Sequence, residues 1–298
     1  MNLTSDQKAI LAAFVCNFLW GLSFMSSRIA LDSAPVLIVL SHRFLLAFLV
    51  MSIFAVTGRA NLHLRGKSLR PLLLLGLMQP VIYFFGELYG ILHSTTIFSG
   101  VMISIIPIAG VLAAVLILKE YPTMRQILFS ILAVSGVIGI GFLSKSSGSL
   151  EFTGVLGLLI AVSAAVAYTI LNRSIAGSYS AFERTYVMMG VGAAVFTVIA
   201  AVSVKGKIRT YLQPFSTWSY AAAILYLGVL CSVVCFFLSC YTITRLSVAR
   251  ATVFANLTTA VSVLAGALIL HEPFPPVGIL CCGLILTGIY GVQYGSKT

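Results

Sequence analysis

The chain has 298 residues, 60% of them hydrophobic and 8% charged, against about 45–50% and about 25% in a soluble globular domain. Its 7 acidic and 18 basic residues cannot furnish a hydrated skin for a folded body of this size, so a water-soluble globule is excluded and the outer surface is expected to face lipid. The net charge of +11 is spread over basic residues standing singly between apolar runs; no basic stripe exists for a phosphate backbone to follow, which argues against nucleic acid and for loops lying beside anionic lipid.

In chain order, apolar runs are predicted at 8–29, 35–57, 69–92, 95–118, 123–143, 152–175, 181–203, 216–243, 247–270 and 276–294. Each is long enough to cross a hydrocarbon core of about 30 Å as a helix. The first carries Asn17, Trp20, Gly21 and Ser23 and continues into "SSRIALDSAP" without a small-x-small cleavage pattern, so it reads as a retained helix and not a signal peptide. The second holds His42, expected to be packed, and Arg43, which lies too deep to belong to either membrane face. The third spaces Gln79, Tyr83 and Glu87 four apart, which places them on one helical face. Interior Pro80 and Pro107 are expected to bend the third and fourth helices. The sixth contains Tyr168, and the ninth carries Thr252, Asn256 and Thr259. Six cysteines lie within the runs at spacings that suit neither zinc nor a redox pair, so they read as small buried hydrophobes; no metal and no cofactor is expected.

Two runs close alike, on "LILKEYP" and "LILHEPFP", each with one residue between Leu-Ile-Leu and a glutamate. With Glu120 laid on Glu272, residues 73–140 align with 225–292 without a gap, and Gly76/Gly228, Phe84/Phe236, Tyr89/Tyr241, Gly136/Gly288 and Gly139/Gly291 coincide. The fold expected is an all-α integral membrane protein of ten transmembrane helices in two five-helix repeats, residues 1–146 and 147–298. Five is odd, so the second copy enters the membrane inverted. Glu120 and Glu272 then stand at opposite faces, each in a tight turn before the next helix, where a carboxylate accepts from free N–H groups. Helices 1 and 6 match poorly, though a separate register sets Arg28 on Arg173. Basic residues decide the orientation. The face of the termini carries Lys8, Arg59, Arg65, Lys67, Arg70, Lys119, Arg125, Arg173, Arg184, Arg245, Arg250 and Lys297, the other Arg28, Lys145, Lys205, Lys207 and Arg209. Both termini are therefore expected in the cytoplasm.

The stretches "WGLSF", "HRFLLAFLV", "LYGILHSTTIFSGVMISIIPIAGVLAAVLILKEYPT" and "LSVARATVFANLTTAVSVLAGALILHE" resemble the EamA family of the drug/metabolite transporter superfamily. The resemblance runs over nearly the whole chain and implies ten helices, an inverted repeat, a central cavity and export or exchange of small metabolites. The chain departs from the family at Thr259, where a proline is frequent, and at Ala165, where a tryptophan is.

Polar groups inside apolar helices are costly and therefore informative. Asn17, Trp20, Gln79, Tyr83, Glu87, Tyr168 and Asn256 are the expected substrate-binding set, with helix–helix hydrogen bonding as the competing role for the amides and hydroxyls. Glu87 has three readings: a static ion pair with Arg43 at similar depth, a cation site or proton carrier, or a side chain snorkelling from the lipid edge. Trp20, Tyr83, Phe84, Tyr168, Tyr226 and Phe236 could form an aromatic cage for an organic cation. No catalytic motif is present, so the chain is not expected to be an enzyme. The expected function is a secondary transporter, exporting amino acids or related metabolites by alternating access. A proton is a candidate coupling ion. The chain would work as a monomer or homodimer in a bacterial inner membrane. The alternatives are an organic-cation importer using Glu87 and the cage, and a membrane scaffold or sensor that transports nothing.

Overall fold

The structure is a computed structural model that describes residues 4–58, 60, 62–93, 102–103, 105–143, 152–269 and 276–294. The regular structure among the described residues is all helical. We label the principal stretches α1 (Ser5–Leu31), α2 (Val36–Val56), α3 (70–92), α4 (Ile106–Leu118), α5 (Met124–Leu143), α6 (Phe152–Ser174), α7 (Ala181–Ser203), α8 (Trp218–Arg245), α9 (248–269) and α10 (Pro276–Tyr294). Five of them, α1, α2, α6, α7 and α8, are long and apolar enough to cross a membrane; α4, α5 and α10 contain shorter apolar helix.

Local sequence explains where several helices begin. Thr4 and Gln7, Thr123 and Gln126, and Ser180 and Glu183 exchange side-chain and backbone hydrogen bonds at the starts of α1, α5 and α7. Each pair is the Ser/Thr-x-x-Glu/Gln capping box, which satisfies two otherwise orphaned N–H groups. Pro107 falls in the first turn of α4, where a missing N–H costs nothing; residues 94–101 and 104 of the expected fourth run, which would show a bend at Pro107, lie outside the described residues. The bend in α3 is present: Gln79 leaves helical geometry at φ −144°, ψ 118°, just before Pro80. The helix is widened over Leu77–Ile82, and α8 is widened over Tyr226–Val234. In the repeat register these two widened segments overlap.

The helices pack in exchanged pairs. α1 lies against α8 and α9, and α6 lies against α3 and α4, while α2 packs on α7 and α5 on α10. The α5–α10 seam is reciprocal. A Cβ placed on Gly136 would lie 2.6 Å from the Cys281 carbonyl oxygen, and one on Gly288 2.6 Å from the Phe129 carbonyl oxygen. Only glycine lets the two backbones approach this closely. Gly76 meets Val191 of α7 and Gly228 meets Leu46 of α2 in the same mirrored fashion. Outward side chains such as Val56, Leu116, Val202 and Leu280 are exposed and apolar, as a lipid-facing surface requires.

One face gathers the start of α1, the ends of α4, α6, α8 and α10, and the starts of α7 and α9. Hydrogen bonds join them: Arg250 to both Asp6 oxygens and to Gln293, Arg173 to Glu120 and to the Ile243 and Thr244 carbonyls, and Lys67 to Glu183. The Glu120 carboxylate also accepts from the Val248 backbone N–H at 3.0 Å. A turn carboxylate accepting from a free helix N–H was the expectation, but the helix it serves is α9, not the following α5. Glu272, its counterpart, lies outside the described residues.

Candidate functional site

Arg43 stands midway along α2 and is 5% exposed. Its Nε donates to Ser232 Oγ at 2.7 Å, and Ser232 donates to the Leu227 carbonyl at 2.9 Å. That last bond spans the widened turn of α8, where carbonyls are released from the regular ladder. The guanidinium carbon lies 4.9 Å from the centroid of Phe84 and 5.4 Å from that of Phe44, within cation–π range. Its two terminal nitrogens have no hydrogen-bond acceptor among the described residues.

Glu87 is half-buried one turn beyond Tyr83, whose hydroxyl donates to Glu87 Oε1 at 2.8 Å. Tyr83 in turn meets Phe84 edge to face, with centroids 5.2 Å apart. The second carboxylate oxygen has no donor among the described residues. Phe84 and Glu87 are three positions apart on a helix and so are surface neighbours. By resting on Phe84, Arg43 is therefore brought beside Glu87. The two charges do not close on each other: no Arg43–Glu87 ion pair occurs among the described residues. In place of a static ion pair stand two half-satisfied charges, Arg43 resting on Phe84 and Glu87 held by Tyr83, which itself meets Phe84.

The other expected site residues divide. Trp20 adjoins the pair, donating from Nε1 to the Cys231 carbonyl at 3.0 Å, one residue from the serine that holds Arg43. Gln79 does not share the face of Tyr83 and Glu87, because its non-helical backbone breaks the four-residue register. Asn17 is taken up in helix packing: it donates to the Ala13 carbonyl and accepts from Thr258 at 3.2 Å. Tyr168 accepts from Asn172 Nδ2 at 3.1 Å and lies in a different polar cluster. Asn256 donates to the Val253 carbonyl, and its Oδ1 is buried without a partner among the described residues. His42 is packed, as expected, among Tyr211, Phe215 and Tyr220, with Nδ1 2.7 Å from the Tyr220 hydroxyl. The aromatic cage is compromised at Phe84, whose face is covered by the protein's own Arg43. A cleft of about 320 Å³ lies at the face of the termini, lined by His63, Lys67, Tyr179 and Glu183 among others, and shares no residue with the Arg43–Glu87 pair.

Ser232 escaped sequence reasoning. A signal existed: in the repeat register it occupies the place of Pro80, a departure inside a widened turn of both copies. Arg184 escaped as well. Assigned to a loop-facing end by its position, it is 1% exposed and donates to the Asn172 and Cys240 carbonyls, to Asn172 Oδ1 and to Thr244 Oγ1.

Apolar helices that turn hydrophobic side chains outward and, among the described residues, hold incompletely partnered charges inward define a multi-pass membrane protein with an internal polar site. The chain belongs to the EamA-like transporter family, which matches residues 7–142 and again 152–294. It is 33% identical over 287 residues to the Bacillus subtilis protein named "Uncharacterized transporter YcxC", covering 95% of this chain and 92% of that one. It is 25% identical over 286 residues to the "Probable terminal-alkyne amino-acid exporter" of Streptantibioticus cattleyicolor, again over 95% and 92%. A solved crystal structure superposes with a TM-score of 0.77 at 17% identity, covering 97% of each chain, which establishes a shared fold.

Proposed function

We propose that this protein is a secondary transporter that exports amino acids or related small metabolites by alternating access. In this reading ten helices cross the membrane as two inverted repeats, residues 1–146 and 147–298, with both termini in the cytoplasm of a bacterial cell. The observation that carries it is the reciprocal packing of the halves. Gly136 fits against Cys281 as Gly288 fits against Phe129, and these are corresponding positions of the repeat. Two near-equivalent halves of opposite orientation provide two near-equivalent conformations, each open to one side. The substrate class draws support from the exporter relative, and from charged groups that stand inside the bundle without full partners.

Purified protein in liposomes tests the proposal by counterflow. Vesicles loaded with a mixture of unlabelled L-amino acids should accumulate the labelled counterparts from outside, well above protein-free vesicles. Equal accumulation in both preparations would overturn it and favour the scaffold or sensor. The organic-cation importer is the weaker reading, because the ring best placed to receive a cation already carries Arg43.

A further inference from the structure

We infer that Arg43 and Glu87 read the two opposite charges of a zwitterionic α-amino acid, the carboxylate seating on the Arg43 guanidinium and the ammonium on Glu87. This rests on the transporter reading for its physiological meaning and adds to it the residues that select the substrate.

The argument begins with the cost of a buried cation. Arg43 is 5% exposed and uses one of its five N–H donors on Ser232, a neutral acceptor. A guanidinium withdrawn from water without an anion is expensive, and the rings of Phe44 and Phe84 compensate only in part. Arg184 shows what a permanently structural arginine looks like in this chain: its donors are spent on carbonyls, an amide and a hydroxyl. Among the described residues Arg43 keeps its terminal fork free, and that fork is the geometry that accepts a carboxylate bidentately.

Glu87 is complementary. Tyr83 holds one oxygen at 2.8 Å and so orients the carboxylate, leaving the other oxygen without a donor among the described residues. A simple anion would satisfy Arg43 but be repelled by Glu87, and a simple cation the reverse. A molecule with adjacent carboxylate and ammonium groups satisfies both. The two side chains do not close into a direct ion pair, so both charges stay available to such a molecule. Both readers are anchored from outside the site, Arg43 by Ser232 of α8 and Glu87 by Tyr83 of its own helix. Selectivity then follows from unpaired charge: a ligand lacking either group leaves one reader without its counter-charge.

The test uses the full chain in lipid nanodiscs and three probes: a mixture of the common L-amino acids, the same mixture N-acetylated, and the matching decarboxylated amines. The zwitterions alone should raise the melting temperature, since a ligand that binds only the folded state stabilises it. Arg43→Gln and Glu87→Gln should each weaken apparent affinity by about 30-fold or more, and Arg43→Lys, which keeps the charge and loses the fork, by less. Equal stabilisation by either single-charge mixture, no stabilisation by zwitterions, or unchanged affinity in the Gln variants overturns the inference. Where a variant does not fold, the three mixtures on the unmodified protein decide alone. Counterflow that carries amines or N-acetyl acids as well as zwitterions sinks the inference and leaves the transporter standing; zwitterion binding with no flux of any probe does the opposite.

Discussion

Arg43 and Arg184 are both buried, and their partners assign them different work. Arg184 sits in the second turn of α7 and ties three elements together through Asn172 of α6 and Cys240 and Thr244 of α8. Hydrogen bonds from a charged donor contribute about 1.5–3 kcal/mol each, and removing the donor strands buried acceptors. Arg184→Gln is therefore expected to destabilise the protein by at least about 3 kcal/mol, which lowers the melting temperature by roughly 6–12 °C. Arg43→Gln, which forfeits one hydrogen bond and two ring contacts but relieves an unpaired charge, should lower it by clearly less. Thermal unfolding of the two variants in one detergent checks this; equal losses would show that Arg43 is as structural as Arg184.

Between elements, the close seams make sharper demands than the apolar runs. Gly136 and Gly288 each meet a carbonyl oxygen of the opposite helix at 2.6 Å from a would-be Cβ, so Gly136→Ala and Gly288→Ala must both push α5 and α10 apart. The expected result is a drop of several degrees in melting temperature, similar for the two because the seam is reciprocal. Gly283, on the same α10, has nothing within 4 Å, so Gly283→Ala should be neutral or stabilise by up to about 1 kcal/mol. A loss at Gly283 as large as at Gly288 would contradict the packing. Glu120 is a connector of another kind, joining the end of α4 to Arg173 of α6 at 2.7 Å and to the first N–H of α9. The pair is partly exposed and of modest strength, which on the proposed alternating-access reading suits a contact that breaks when this face opens. Glu120→Ala is expected to raise the rate of thiol labelling at an introduced Ser247→Cys by about five-fold or more, the population change that follows from losing about 1 kcal/mol. An unchanged rate would show that Glu120 does not hold this face shut.

At the scale of the whole molecule, the uneven distribution of basic residues fixes the expected orientation. A cysteine at position 207 should be labelled by an impermeant reagent on intact cells, and one at position 65 only after permeabilisation. The reverse pattern would invert the topology and with it the direction assigned to transport. How much of this was legible beforehand differs by feature. The membrane class followed from composition alone, because 7 acidic residues in 298 cannot hydrate a soluble surface. The helix boundaries followed nearly as well, since an apolar run ends where polar residues return: α1, α2, α6 and α7 begin and end within a few residues of the expected spans. The family was legible in the paired Glu and Gly positions. The candidate site was legible as a collection of residues and not as an arrangement. Asn17, Gln79, Glu87 and Asn256 all look alike in sequence, polar groups in apolar helices, and whether each is spent or free depends on partners supplied by other helices. Asn17 meets Thr258 and Arg43 meets Ser232 only because α1 packs on α9 and α2 on α8. The partners of Arg184 were hidden for the same reason: position in a helix determines depth along its axis, but the side of the helix that faces carbonyls and the side that faces water are decided by what packs there. Sequence by itself determined that this chain lies in a membrane and repeats itself; tertiary structure decided which charges inside the bundle lack a partner among the described residues, because a hydrogen bond between residues far apart in the chain has no local signature.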